Sequence, residues 1–337
     1  MAANAGAIGE FELITRFFSD INGVSNIGDA HARVIDLAVG DDCALLTPPP
    51  GQQLAISVDT LVADVHFPAH GDAYSIAQKA LRCNLSDLAA MGAEPLAFTL
   101  ALSLPHADED WLAAFSRGLR DCANEFNIAL IGGDTTRNPV ATITIQVMGT
   151  LPIGSALLRS GAKIGDAIYV SGTLGDARAA LDYLALPSAQ LNSDHQFCLS
   201  RYYRAAPRIA LGIALRGIAN SAIDISDGLA ADLGHILERS TIFSNSPVGA
   251  EIDIGKLPLS AALQKHPRAI EFALSGGDDY ELCFSVPQQN RYLIENIAHS
   301  LSLALTEIGT IVAGDQIMAR DGNGTLQPLE LRGYKHF

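Results

Sequence analysis

Basic residues are scarce: 22 Lys plus Arg stand against 37 Asp plus Glu in 337 residues, a formal net charge of −15. A surface of that sign repels nucleic acid and anionic membranes, so neither is an expected partner. Cysteine is scarce as well. The five, Cys43, Cys83, Cys122, Cys198 and Cys283, are an odd number with no C-x-x-C pair, which argues against a disulfide framework and fits a reducing, cytoplasmic setting. The longest uncharged apolar run, Pro95 to Pro105, is too short to cross a bilayer, and the opening MAANAGAIGEFELITRFF has no basic stretch before an apolar core. Neither a membrane helix nor a signal peptide is expected. The familiar nucleotide and metalloprotease signatures are missing too: no G-x-x-x-x-G-K-[ST], G-x-G-x-x-G, H-R-D with D-F-G, or H-E-x-x-H. The common kinase and NTPase folds are thereby disfavoured. No low-complexity segment or solenoid period is present.

What is there is globular: 48% hydrophobic and 18% charged residues, in a chain long enough for two cores. Short apolar runs recur and each stops at Asp: LAVGDD (37–42), LAISVDT (54–60), IALIGGDT (128–135), SAIDISDG (221–228) and FALSGGDD (272–279). These read as strands whose ends deliver carboxylates to a cleft, with Gly letting the backbone turn close to a ligand. Helices are predicted at about 10–19, from Phe11, Ile14, Phe17 and Phe18, and at Tyr74–Met91, Asp108–Phe126, Asp176–Leu186 and Leu229–Arg239. Alternating strands and helices give an α/β or α+β fold. TITIQVMGT finishes a strand before the Gly-rich PIGSALLRSGAKIGD, so a boundary is placed between domains 1–152 and 153–337. IGGDTT and SGGDDY, one in each half, hint at an internal duplication.

The richest chemical signal is carboxylate: Asp41, Asp42, Asp59, Asp87, Asp134, Asp224, Asp227, Asp278 and Asp279, nearly all in Gly- or Ser-flanked turns. Any one of them reads as a cap or turn former. As a set, with doubled and Ser-spaced pairs after buried strands, they read as ligands. Oxygen donors without His or Cys favour magnesium or calcium. The D-x-[DN]-x-[DN]-G calcium loop is absent, which leaves magnesium bridging carboxylates and phosphates. A cation would also reconcile so acidic a chain with anionic substrates. Asn84 and Asp87 share a face of the helix KALRCNLSDLAAMGAEP, either capping a neighbouring element or facing metal. His66, a lone histidine beside Phe67, reads first as a packed or surface residue. Arg159, in a Gly- and Ser-rich loop, is as well suited to a phosphate as to solvent.

Taken together, GDDCALL, SVDTLVADVHF, NLSDLAAMGAEP, LIGGDTTR, IDISDGLAADLGHI, SGGDDYELCF and the terminal GYKHF closely resemble the thiamine-monophosphate kinase family, in the family's order from Gly9 to Phe337. The resemblance implies the two-domain aminoimidazole ribonucleotide synthetase-like fold, with an N-terminal mixed sheet that pairs in a homodimer and a C-terminal α/β domain completing the active site. It implies an enzyme that phosphorylates thiamine monophosphate with ATP and several Mg2+ ions. Metal positions fall on Asp42, Ser57, Val58, Asp59, Asp87, Asp134, Asp224 and Asp227, with Val58 standing where the family carries Thr. ATP contacts fall on Gly133, Asp134, Arg159 and Ser226, and substrate contacts on His66, Asp278 and Leu331. Asp278 replaces the more usual Glu, and Leu331 an aromatic ring.

No Ser-His, Cys-His or Lys arrangement offers a protein nucleophile, so no catalytic side chain is assigned and direct, metal-assisted in-line transfer is expected. Two rivals stand beside this reading. One is another ATP-using enzyme of the superfamily, of the aminoimidazole ribonucleotide or selenophosphate synthetase type. The latter requires a reactive N-terminal Cys, whereas the first cysteine here is Cys43. The other is a divalent-ion-binding protein without turnover.

Overall fold

The structure is a computed structural model, described over residues 10–19, 21, 34–39 and 42–329. It divides into two compact units, one of residues 1–88 and 94–153 and the other of residues 89–93 and 154–337.

The first unit opens with α1 (Glu10–Leu13), which runs into a π-helical turn, Ile14–Phe18. Leu13, Phe17 and Phe18 are buried, and Phe18 meets Phe115 edge to face. The short pair β1 (Ile35–Leu37) and β2 (Leu45–Leu46) follows. Next come β3 (Gln52–Val62), α2 (Ala73–Ala90), β4 (Glu94–Leu104), α3 (Glu109–Glu125), β5 (Ala129–Arg137) and β6 (Thr142–Pro152). The long strands form a sheet of order β3-β6-β4-β5, in which only β4 and β5 are parallel. Register sorts its two faces: Ser57, Asp59 and Leu61 pair with the buried Val147, Ile145 and Ile143, whereas the outward Ile56, Val58 and Thr60 pair with Met148, Gln146 and Thr144. Helix α3 starts where Asp108 accepts from Trp111 N–H at 2.9 Å, an N-cap satisfying one orphan donor. It packs on α2 through Gln78, whose Nε2 donates to Gly118 O at 2.7 Å, and through an Arg82–Glu125 ion pair.

The second unit contains β7 (Ala167–Ser171), α4 (Asp176–Leu181), α5 (Ser193–Tyr203), α6 (Ile209–Leu215), β8 (Ser221–Asp224), α7 (Leu229–Ser244), β9 (Val248–Asp253), α8 (Ala269–Ser275), β10 (Leu282–Val286), α9 (Arg291–Leu301), β11 (Leu305–Ala313), β12 (Ile317–Arg320) and β13 (Leu326–Pro328). The sheet order is β13-β12-β9-β11-β7-β10-β8, antiparallel except for β12 with β9. Alternation along β7 sends Ile168 and Val170 into one core with Leu233 and Ile236 of α7. It sends Ala167 and Tyr169 into another with Leu211 of α6 and Ile294 of α9. This is a mixed sheet with helices on both faces, as expected of an α/β unit.

Three sequence expectations are corrected. FALSGGDD is not a strand: Phe272–Ser275 end α8, and the loop beyond carries the carboxylates. A short buried apolar run has no period that distinguishes the two states. Helix α4 stops at Leu181, five residues early, and α7 runs on to Ser244, where Asn245 takes a left-handed φ of 53°. IGGDTT lies within β5 whereas SGGDDY follows a helix, so these segments carry no structural repeat.

Candidate functional site

In the first unit, β3 faces α2 across a polar seam. Ser57 Oγ donates to Asp87 Oδ2 at 2.5 Å, and Asp59 N–H donates to Asn84 Oδ1 at 3.1 Å. Asn84 is itself oriented by its Nδ2 donating to Ala80 O at 2.9 Å. The Asn84–Asp87 pair therefore does what a shared helix face allows, holding the strand that bears Ser57 and Asp59. Val58 alternates to the opposite face and is 54% exposed, so any part it takes is confined to its backbone. Asp42 is exposed in the bend before β2.

The second unit joins two loops back to back. Ile225 N–H donates to Glu281 O at 2.8 Å, Tyr280 N–H to Ile225 O at 2.8 Å, and Asp278 N–H to Ser226 O at 2.9 Å. Asp278 and Tyr280 both have positive φ, 67° and 50°, and Tyr280 Oη donates to Asp278 Oδ1 at 3.1 Å. Gly277 makes this approach possible, because a Cβ there would lie 2.5 Å from Ser226 O. Asp224 thus ends β8 opposite Leu282, and Ser226, with Asp227 next to it before α7, is bonded directly to Asp278.

Behind these loops lies a layer of buried acids: Asp279, which the sequence reading counted among the ligand carboxylates, and Asp232, Glu281 and Asp176, which it passed over. Asp232, 2% exposed, accepts at Oδ2 from Asp227 N–H at 3.0 Å and from Gly228 N–H at 3.1 Å. Burial lifts its carboxyl from an ordinary 3.8 to about 7, against the pull of those N–H groups. Asp279 accepts from Gly175 N–H at 2.9 and 2.8 Å, and burial pushes its pKa well above the usual carboxylate range. Glu281, fully buried, receives Ser171 Oγ at 2.6 Å together with the guanidinium groups of Arg201 and Arg208. Burial also raises Asp176, which accepts from Ser260 and Thr173.

Other expected residues are dispersed. Gly133 shares a cross-strand row with Leu100, Ile145 and Asp59, so Asp134 and Asp59 sit at opposite sheet edges, three strand spacings or roughly 14 Å apart. A Cβ on Gly133 would lie 1.9 Å from Leu100 O, which gives that glycine a structural reason as well. His66 closes the turn after β3, its Nδ1 accepting from Val62 N–H at 3.0 Å. Arg159 is exposed, in a loop whose Gly161 and Ala162 N–H groups donate to Ser240 Oγ at 3.2 and 3.1 Å. Its neighbour Leu158 pairs with Ala222 at the start of β8, four residues or about 13 Å of strand from Ser226. Among the described residues, no group of three or more His, Cys, Asp or Glu converges on one point. Asp41 and Leu331 lie outside the described residues.

Comparison with known proteins places this architecture in two steps. Residues 40–151 match the family profile described as AIR synthase related protein, N-terminal domain, and the E. coli hydrogenase maturation protein HypE shares the fold at TM-score 0.73 and 23% identity, over 88% of this chain and 93% of that one. The class is therefore the AIR synthase-like fold. Within it, the chain is 47% identical to the thiamine-monophosphate kinase of Escherichia coli K12 over 98% of its own length and 99% of that protein's. It is 45% identical to the crystal structure of the Stenotrophomonas maltophilia thiamine-monophosphate kinase, with TM-score 0.80 over 88% of this chain and 95% of that one. A third relative, AaThiL complexed with AMPPCP and TMP, superposes at TM-score 0.76 and 30% identity, covering 86% of this chain and 89% of that one. The chain belongs to the thiamine-monophosphate kinase family.

Proposed function

We infer that the protein transfers the γ-phosphoryl group of ATP to thiamine monophosphate, forming thiamine diphosphate. The observation that carries this reading is the pairing of the IDISDG and SGGDDY loops, which sets Ser226 and Asp227 directly against Asp278 within a chain of this family. The relative bound to AMPPCP and TMP supports both substrates.

Magnesium fits the donors in kind. They are all oxygen, and this ion keeps several waters, taking one or two carboxylates plus substrate phosphates in preference to an all-protein cage. We assign Asp42, Ser57, Asp59, Asp87 and Asp134 of the first unit, with the Val58 backbone, and Asp224 and Asp227 of the second, as its holders. Bound magnesium would neutralise phosphate charge in the transition state. Seam residues Asn84 and Asp87 fix β3, and Asp232 fixes the Asp227 backbone, so that the donors are positioned before substrate arrives. Gly133, Asp134, Arg159 and Ser226 are assigned to ATP, and His66, Asp278 and Leu331 to thiamine monophosphate. The acceptor phosphate, with a second pKa near ~6, is already ionised at neutral pH and attacks without a protein base. The exposed apolar row of Ile56 and Val58 on β3 supports a homodimer formed through the open face of the first unit's sheet. We place the enzyme in the cytoplasm, in keeping with its five free cysteines; among the described residues no helix is long and apolar enough to cross a membrane.

The experiment is incubation of the purified chain with ATP, magnesium and thiamine monophosphate, followed by mass spectrometry. Thiamine diphosphate is the expected product, and ATP consumption without it would move the protein to a different member of the superfamily.

A further inference from the structure

Burial alternates along residues 278–281: Asp279 and Glu281 are buried, whereas Asp278 and Tyr280 are half-buried. The inward pair is anchored. Asp279 accepts twice from Gly175 N–H, just before α4, and Glu281 receives Ser171 of β7 together with Arg201 and Arg208. The outward pair is bonded to itself, Tyr280 Oη donating to Asp278 Oδ1 at 3.1 Å.

The backbone beneath that outward pair is strained. Among the described residues, those other than glycine with a positive φ are Asp64, Asn127, Asn245, Asp278, Tyr280 and Ser302. Asn245 and Ser302 end helices α7 and α9, and Asn127 lies just past α3. Short polar residues tolerate the left-handed region, whereas a bulky one enters it at a cost. Tyr280 is the one bulky side chain in this set, and it closes no helix. Such strain persists where the surroundings over-determine it, as the two anchored acids and the backbone bonds to Ile225 and Ser226 do. Its product lies on the outer face, where a phenol is set against the carboxylate assigned to thiamine monophosphate.

We propose that Tyr280 is a positioning residue for the acceptor, its phenol holding the Asp278 carboxylate in the orientation that meets thiamine monophosphate. The proposal rests on the phosphoryl-transfer reading and on the part Asp278 takes in it. The terminal torsion of an Asp side chain is broad, so a carboxylate without this tether would lose that freedom on meeting substrate. The phenol restricts it beforehand, which lowers the entropic cost of binding. Tyr280 itself acts only through Asp278.

The test is steady-state kinetics of the full chain with ATP, magnesium and thiamine monophosphate, for Tyr280→Phe, Asp278→Ala and the double variant. Calorimetric Kd values for thiamine monophosphate give the same comparison independently of turnover. Phe keeps the ring and removes only the hydroxyl. Tyr280→Phe is expected to raise KM and Kd for thiamine monophosphate about fivefold, with kcat, KM for ATP and Tm as in the parent chain. In the Asp278→Ala background the same change should have no further effect, because the group it acts through is gone. A merely structural tyrosine would lower Tm and act equally in both backgrounds. Unchanged affinity in Tyr280→Phe, an effect of equal size in both backgrounds, or a variant that no longer folds overturns the proposal. Failure of the unaltered chain to convert thiamine monophosphate would instead overturn the phosphoryl-transfer reading, a result the variants cannot mimic.

Discussion

Ser57 and Asp87 are joined side chain to side chain, Oγ to Oδ2 at 2.5 Å, across the gap between a strand and a helix separated by 30 positions of sequence. The bond ties the position of the Asp87 carboxylate on α2 to Ser57 on β3. Ser57→Ala should therefore raise the magnesium concentration needed for half-maximal activity by about tenfold, and Asp87→Asn by about a hundredfold. Circular dichroism should show both variants folded. Magnesium titrations superimposable on that of the parent chain would remove this pair from the metal site.

Asp232 makes a pH prediction whose sign differs from that of an ordinary surface carboxylate. Its unfolded value is 3.8 and its folded value about 7. Between those values the folded state binds the extra proton, so this group's contribution to stability falls as pH rises from about 4 to about 7 and is level above that. Asp232→Asn keeps an oxygen acceptor for Asp227 and Gly228 but cannot ionise. Its Tm relative to the parent should improve between pH 5 and pH 8 in chelator, and a difference independent of pH would refute the assignment.

Glu281 neutralises two arginines in a setting from which its own side chain is wholly excluded from water. Removing the carboxylate charge strands both guanidinium groups. Glu281→Gln should cost about 3–5 kcal/mol in urea unfolding, whereas breaking the exposed Arg268–Glu271 pair, with both side chains more than half exposed, should cost far less. Equal losses would mean that the buried network is not the stronger element.

Ile56, 57% exposed on the open sheet face, tests the proposed assembly. Ile56→Asp would place a charge in an apolar interface and should shift sedimentation from dimer to monomer at micromolar concentration. A parent chain that sediments as a monomer would dispose of the dimer directly.

Helices α2 and α3 were legible because their apolar spacing is regular and Asp108 announces a cap. LAISVDT and IALIGGDT were legible as strands from their apolar runs, but both strands continue past the Asp read as their end, and LAVGDD is strand only as far as Leu37. The SGGDDY segment was misread as the end of a strand, since Phe272, Ala273 and Leu274 are all buried in one helix turn and show no alternation. Asn84 and Asp87 were visible as a pair, but their partners on β3 were not. Glu281 could not be found from its neighbours: Arg208 and Arg201 lie 73 and 80 positions away, and only the folded chain brings them together. Asp232 carried a faint local signal, an acid in the first turn of a helix after a Gly, which elsewhere would pass as dipole compensation.

The backbone pairing of residues 225–226 with residues 278–281 makes the two loops a single heritable unit. A substitution that reshapes the loop around Asp278, for instance to admit a bulkier acceptor, displaces the carbonyl of Ser226 with it. Relatives that diverge in acceptor choice should therefore vary at both loops together, and libraries built to retarget this scaffold will yield more active clones when residues 225–228 and 276–281 are exchanged as one cassette.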